Sequence, residues 1–179
     1  MKLFISTFAV ILSVLSCFGQ GQVVFANKVG TTMDAPVTVL GSNPLVGPGP
    51  NWSAQLYLQG LNGSLTPLIP ASTFRAAGQG AAAIADRYWF PQTVDVPVQP
   101  GTDATFIVRA WLTSAGSYDA TYWKGESNPF TVTVGGGTLP PANLTTLKAF
   151  QVGPLPEPST IALGVLGTAV FVIHRKRRS

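Results

Sequence analysis

Between Gln22 and Val152 the chain never runs far before a glycine, a proline or an asparagine interrupts it. Gly and Pro end helices and build turns, and the 179 residues include 19 Gly and 15 Pro. The runs between them are rich in Val, Thr, Phe, Tyr and Trp, residues that favour strands. This punctuation predicts an all-β domain.

Gln22–Val29 and Ala35–Leu40 are short β-rich runs, and Gly41–Pro50 (GSNPLVGPGP) reads as loop. Trp52–Gln59 alternates, with Ala54, Leu56 and Leu58 on one face and Gln55 and Tyr57 on the other. Asn62-Gly63 turns the chain into Leu65–Ile69. Tyr88–Phe90 and Thr93–Val98 follow, with Val94, Val96 and Val98 sharing a face. Ala104–Thr113 is the longest predicted strand and presents Phe106, Val108, Ala110 and Leu112 to a core. Phe130–Val134 alternates cleanly, and Ala149–Val152 adds a last strand. Eight or nine short strands separated by turns predict a β-sandwich of jelly-roll or immunoglobulin-like type. Phe74–Asp86 is Ala-rich but interrupted by Gly78 and Gly80, and reads as a loop or short helix.

A formal charge of +4 suggests an anionic partner until the charges are placed. Lys2 and the cluster Arg175, Lys176, Arg177 and Arg178 lie in the end segments. Between Gln20 and Leu155 six cations (Lys28, Arg75, Arg87, Arg109, Lys124, Lys148) balance six anions (Asp34, Asp86, Asp95, Asp103, Asp119, Glu126). A phosphate-binding surface needs a concentrated positive field. Scattered, balanced charge argues against a nucleic-acid partner.

The first residues have the three parts of a secretory signal: Lys2, an apolar core from Leu3 to Leu15, and small residues at alternate positions in Cys17-Phe18-Gly19. Signal peptidase is expected to cut between Gly19 and Gln20, with Gly21 as the second choice; an uncleaved N-terminal anchor is the alternative. Lipidation at Cys17, the only cysteine, fits poorly because Leu15 stands where that processing prefers a small residue. Cleavage after Gly19 leaves a mature chain without a thiol.

Near the other end, Ile161–Ile173 carries no charge and is interrupted only by Gly164, Gly167 and Thr168. A helix over 158–174 would measure about 25 Å, a little under the ~30 Å hydrocarbon core. Cationic side chains reaching to the headgroups make up such a difference. A buried core helix is the alternative for so short a run, but a basic block after it is what holds that end of a span in the cytosol. Both ends then lie on the cytosolic side, with the middle exported.

Pro156-Glu157-Pro158-Ser159-Thr160, the apolar Ile161–Ile173 and the basic Arg175-Lys176-Arg177-Arg178 together resemble the PEP-CTERM sorting signal of Gram-negative bacteria. The resemblance covers roughly residues 155 to 179, with Leu155 where Val is frequent and Lys176 within an otherwise Arg-rich cluster. It implies recognition at Pro156, Glu157, Pro158, Ser159 and Thr160 by an integral-membrane protease of the exosortase type, and removal of the anchor near the triplet. The physics agrees: Pro156 and Pro158 keep the chain extended and open to a protease at the membrane face. Gln22–Val29, Asp34-Ala35-Pro36-Val37, Gln55-Leu56-Tyr57-Leu58 and Gly125-Glu126-Ser127-Asn128-Pro129 are also similar to exported PEP-CTERM proteins of Verrucomicrobia-like bacteria.

The expected organisation is a signal peptide (1–19), a β-sandwich ectodomain (20–153) and a sorting segment (154–179). That segment comprises the triplet 156–158, a transmembrane helix 159–174 and a cytosolic basic anchor 175–178. The expected location is the inner membrane with the ectodomain outside, then the cell surface or extracellular matrix.

Chemistry in the middle is limited by residue type. The only histidine, His174, lies at the membrane-edge segment, so the ectodomain has no Ser-His-Asp or Cys-His nucleophile system and no imidazole or thiolate metal site. No Walker loop or dinucleotide fingerprint occurs. No catalytic residue, metal or cofactor is assigned, and the chain reads as non-enzymatic. Asp119 and Glu126 are the best carboxylate pair for a glycosidase, though their sequence spacing is not diagnostic; with Asn128 they are also oxygen ligands of the kind Ca²⁺ takes. Tyr118, Tyr122 and Trp123, among polar neighbours, are of the type that stacks on sugar rings, and equally of the type that packs strands. A structural or adhesive role is expected, in contact with extracellular polysaccharide; a dedicated carbohydrate-binding module is the alternative. Asn51-Trp52-Ser53, Asn62-Gly63-Ser64 and Asn143-Leu144-Thr145 match the N-glycosylation acceptor pattern at expected surface turns, which in a bacterial chain carries little meaning.

Overall fold

The computed structural model describes residues 20–79 and 83–155. The expected signal segment 1–19, the Pro-Glu-Pro triplet, the apolar span and the basic tail lie outside the described residues. Within them the chain is all-β: strands alternate with turns and three-residue 3-10 segments, and no α-helix occurs among the described residues.

The strands are β1 (Gly21–Phe25), β2 (Lys28–Val29), β3 (Met33–Asp34), β4 (Val37–Val39), β5 (Trp52–Gln59), β6 (Leu65–Pro67), β7 (Ser72–Thr73), β8 (Gln92–Val96), β9 (Asp103–Leu112), β10 (Trp123–Glu126), β11 (Phe130–Thr133), β12 (Ala142–Asn143) and β13 (Phe150–Pro154). The expected run Gln22–Val29 divides into β1 and β2 because the chain bends at Ala26-Asn27, where Ala26 N–H donates to the Val24 carbonyl. Tyr88–Phe90 forms no strand; only Trp89 bridges, to Phe74. Beyond the bridging Phe74, the described parts of Phe74–Asp86 are irregular chain, turns and the start of a 3-10 segment, Ala85–Arg87.

The long strand β9 is the spine of the larger sheet. Along one edge it pairs with all of β5, from Trp52↔Leu112 to Gln59↔Thr105. Its other edge is shared by two strands: β10 takes Arg109 to Trp111, and β11 takes Asp103 to Phe106. Ser127 fills the gap between them. Its N–H donates to the Val108 carbonyl (2.9 Å), and its Oγ accepts from Val108 N–H (3.0 Å), so a side chain stands in for a missing ladder partner. Beyond β10 lie β13, antiparallel to it, and then β4, parallel to β13. A smaller sheet holds β1 between β8 (antiparallel) and β12 (parallel).

One hydrophobic cluster joins the inward residues of both sheets: Val23, Phe25, Val94 and Val96 from the smaller, and Ala54, Leu56, Phe106, Val108 and Ala110 from the larger. These are the faces that alternation predicts. Trp89 sits among them at 1% exposure, 4.8 Å from the Phe25 ring and edge-on to Phe74 at 5.7 Å. Its indole N–H donates to the Phe25 carbonyl. Beside it, buried Asn27 donates to the carbonyls of Ala35 and Arg87, both at 3.0 Å, and accepts from Trp89 N–H. One amide thereby ties three chain segments without leaving a buried polar group unpaired.

Two glycines let β13 lie close to its neighbours. A Cβ on Gly125 would meet the Gln151 carbonyl oxygen at 2.3 Å, and one on Gly153 would meet Leu40 Cβ at 2.8 Å. The ends of the described fold lie at opposite ends of β9. Gly21 N–H donates to Val98, and a Cβ there would strike Val134, which itself bonds to Thr102 just before β9. Pro154 lies opposite Trp123, next to Lys124, which pairs with Trp111 at the far end. Nine residue steps of strand separate these levels by about 30 Å.

Candidate functional site

The outward side chains of the larger sheet come together where β5, β9 and β10 run side by side. Register places Gln55, Arg109 and Glu126 in one row. Residues directly opposite share a face, so Arg109 and Glu126 meet by strand pairing alone. The Arg109 Nε donates to Glu126 Oε2 at 3.1 Å.

Two rings enclose the guanidinium. Its Cζ lies 5.2 Å from the Tyr57 centroid and 4.4 Å from that of Tyr118, within cation–π range on both. Tyr57 comes from β5, held by Gln55, whose Oε1 accepts from the phenol and whose Nε2 donates to the Leu68 carbonyl. Tyr118 comes from the 3-10 segment Tyr118–Ala120, which packs on β9 after the chain turns at Thr113–Ala115. Lys124 lies 4.5 Å from the same Tyr118 ring, so Tyr118 has two cations for neighbours.

On this face one burial departs from what alternation predicts. Ile107 and Trp111 point away from the Phe106–Ala110 face, yet they are 7% and 5% exposed. β9 is covered on both faces at its centre.

Burial, with the negative charge of Glu126 second, pushes the Tyr118 phenol up to about 12; nearby Arg109 opposes the shift. The phenol donates weakly to Glu126 Oε2, at 3.4 Å. Burial likewise raises Tyr57, with Arg109 opposing. A neutral Tyr118 and the Arg109–Glu126 ion pair are packed against one another. That arrangement braces the turn onto the sheet. Glu126, one member of the carboxylate pair considered for hydrolysis, is engaged by Arg109 and Tyr118. Among the described residues no group of three or more His, Cys, Asp or Glu converges in a way that could hold a metal ion.

The three aromatics singled out in the sequence separate. Tyr118 is 8% exposed and lies against Arg109 and Lys124. Trp123, two positions from Gly125 and on the same side of β10, packs against the hydrophobic core. Tyr122 is 59% exposed and stands 6.2 Å from the Trp123 ring at an interplanar angle of 45°. Tyr122 and Trp123 are brought together; Tyr118 is not part of a flat platform with them. Gln20 is exposed at the edge of the fold, while Gly19, Pro156, Glu157, Pro158, Ser159, Thr160, Arg175, Lys176, Arg177 and Arg178 lie outside the described residues.

Sequence reasoning missed Arg109, Tyr57 and Lys124 as one cluster. Their outward parity was legible, but which outward residues face one another depends on register between strands about 15 to 50 positions apart. Comparison of the chain with protein-family models, with curated proteins and with solved structures finds no match.

Proposed function

We propose that this is an exported surface or extracellular-matrix protein, sorted through a PEP-CTERM tail and non-enzymatic, with a structural or adhesive role. The observation that carries the reading is the succession Pro156-Glu157-Pro158, uncharged Ile161–Ile173 and Arg175–Arg178 directly after β13. Residues 1–19 would direct export, and signal peptidase would cut between Gly19 and Gln20. The membrane would hold the chain until an exosortase-type protease acts near the triplet.

The fold supports this reading in two ways. Strand pairing runs from Gly21 to Pro154, so both proposed cuts flank the paired strands and remove none of them. The shared hydrophobic cluster supports reading the two sheets as layers of a β-sandwich. The test is the intact mass of the mature protein from its native host. Loss of the 161–178 segment is expected, and a mass retaining both apolar span and basic tail overturns the reading.

A second reading, carbohydrate binding, is favoured by exposed Tyr122 beside Trp123. A glycan array separates the two: binding that is lost in Tyr122→Ala supports the module, and no binding by the wild type excludes it.

A further inference from the structure

The end of the larger sheet from which the chain leaves β13 carries several exposed apolar residues. Leu155 N–H donates to the Tyr122 carbonyl, Leu40 N–H donates to the Val152 carbonyl, and Val39 N–H donates to the Val46 carbonyl. These bonds place Leu40, Val46, Tyr122 and Leu155 on adjoining strands and loops, and all four are exposed, at 54, 47, 59 and 46%. Single exposed apolar residues need no explanation. A group gathered around the exit of the chain does.

Lys124 adjoins this group, in register with Gly153. The ion pairs among the described residues are Lys28–Asp34 and Arg109–Glu126, and Lys124 belongs to neither; its ammonium lies over the edge of the brace, 4.5 Å from the Tyr118 ring centroid. A cation beside Tyr and Leu is the composition of a surface that sits at a headgroup boundary.

The distance is also right. Five residues, 156–160, separate Leu155 from Ile161, a reach of at most about 22 Å when extended. Gly21, at the other end of β9, is about 30 Å farther along the strands. We propose that the Leu40–Val46–Tyr122–Leu155 face rests on the lipid bilayer while the tail is anchored, with Lys124 at the phosphates. The smaller sheet's Gly21 end then points outward. This inference rests on the membrane-anchored reading above and adds which face of the domain meets the lipid.

The test uses the full chain, Cys17→Ser, in nanodiscs containing anionic lipid, with a nitroxide on single cysteines. Leu40→Cys and Tyr122→Cys report the proposed face, Leu61→Cys, in the β5–β6 turn at the other end, serves as the distant control, and Val165→Cys reports the tail. Oxygen partitions into lipid and a nickel chelate into water. The oxygen-to-nickel accessibility ratio at Leu40 and Tyr122 is expected to exceed that at Leu61 several-fold, and the Tyr122 ratio to fall in Lys124→Glu. Water-like ratios at Leu40 and Tyr122 with a lipid-like ratio at Val165 overturn this inference and leave the anchored reading standing. A water-like ratio at Val165 overturns both. Spin–spin broadening at Tyr122 without a lipid-like ratio assigns the face to a second copy and also overturns the proposal.

Discussion

Arg109 and Glu126 stand directly opposite one another on antiparallel strands, joined by a 3.1 Å Nε–Oε2 contact and covered by Tyr118. The guanidinium is the more buried partner, its side chain 21% exposed against 47% for the carboxylate. Its two aromatic contacts therefore outweigh the ion pair. A partly exposed salt bridge contributes about 0–1 kcal/mol, and each cation–π contact about 0.5–1 kcal/mol.

Arg109→Ala is accordingly expected to destabilise the fold by on the order of 1–2 kcal/mol, and Glu126→Gln by about 0.5 kcal/mol. Urea unfolding of both variants and of the double variant measures the coupling. A coupling indistinguishable from zero would show that the pair is incidental to the brace.

Tyr118 supplies a pH signature. A phenol ordinarily titrates at 10.0, and here the value is pushed up to about 12, with burial the first cause. A raised folded-state pKa means that the stability tied to the neutral phenol is complete below pH 10 and is lost as pH rises through about 12. Stability should decline over that window, with a phenolate absorbance step near its upper end. Tyr118→Phe should remove the step and flatten the decline; an unchanged alkaline titration would contradict the burial of this ring.

Asn27→Ala should cost about 2–3 kcal/mol, because it strands the Ala35 and Arg87 carbonyls and the Trp89 N–H in a buried setting. Denaturant midpoints give the magnitude. Loss below about 0.5 kcal/mol would mean that water replaces the amide freely.

Gly125→Ala adds one methyl group against the Gln151 carbonyl, at a separation of 2.3 Å before relaxation. Neither partner is a flexible side-chain tip, so β10 and β13 must part. A loss of about 2–3 kcal/mol is expected. Hydrogen exchange should quicken first at the amides of β13, and uniform protection there would refute the close approach.

Much of the strand pattern is legible in the sequence. Trp52–Gln59 is β5 without adjustment, and Phe130–Val134 and Ala149–Val152 differ from β11 and β13 only at their ends. Alternating chemistry marks a strand because each face of a pleat has its own solvent. Short pairings escaped notice for the converse reason. Two-residue strands such as β7 and β12 contain too few positions to show a period, and Ala142-Asn143 follows two prolines that argue against a strand. The burial of Ile107 and Trp111 was hidden as well, since outward parity on a strand does not show what packs over it.

Local chemistry in the sequence therefore determined that this chain forms strands and turns, which side chains of each long strand face inward, and that its middle is electrically balanced. These are properties of near neighbours, set by pleat geometry and backbone freedom. Tertiary structure alone decided that Arg109 lies between Tyr57 and Tyr118, that Tyr118 and Trp123 occupy different faces, and that Gly21 and Pro154 leave at opposite ends. Each depends on how strands far apart in sequence align, and that alignment is chosen by the packing of the whole core.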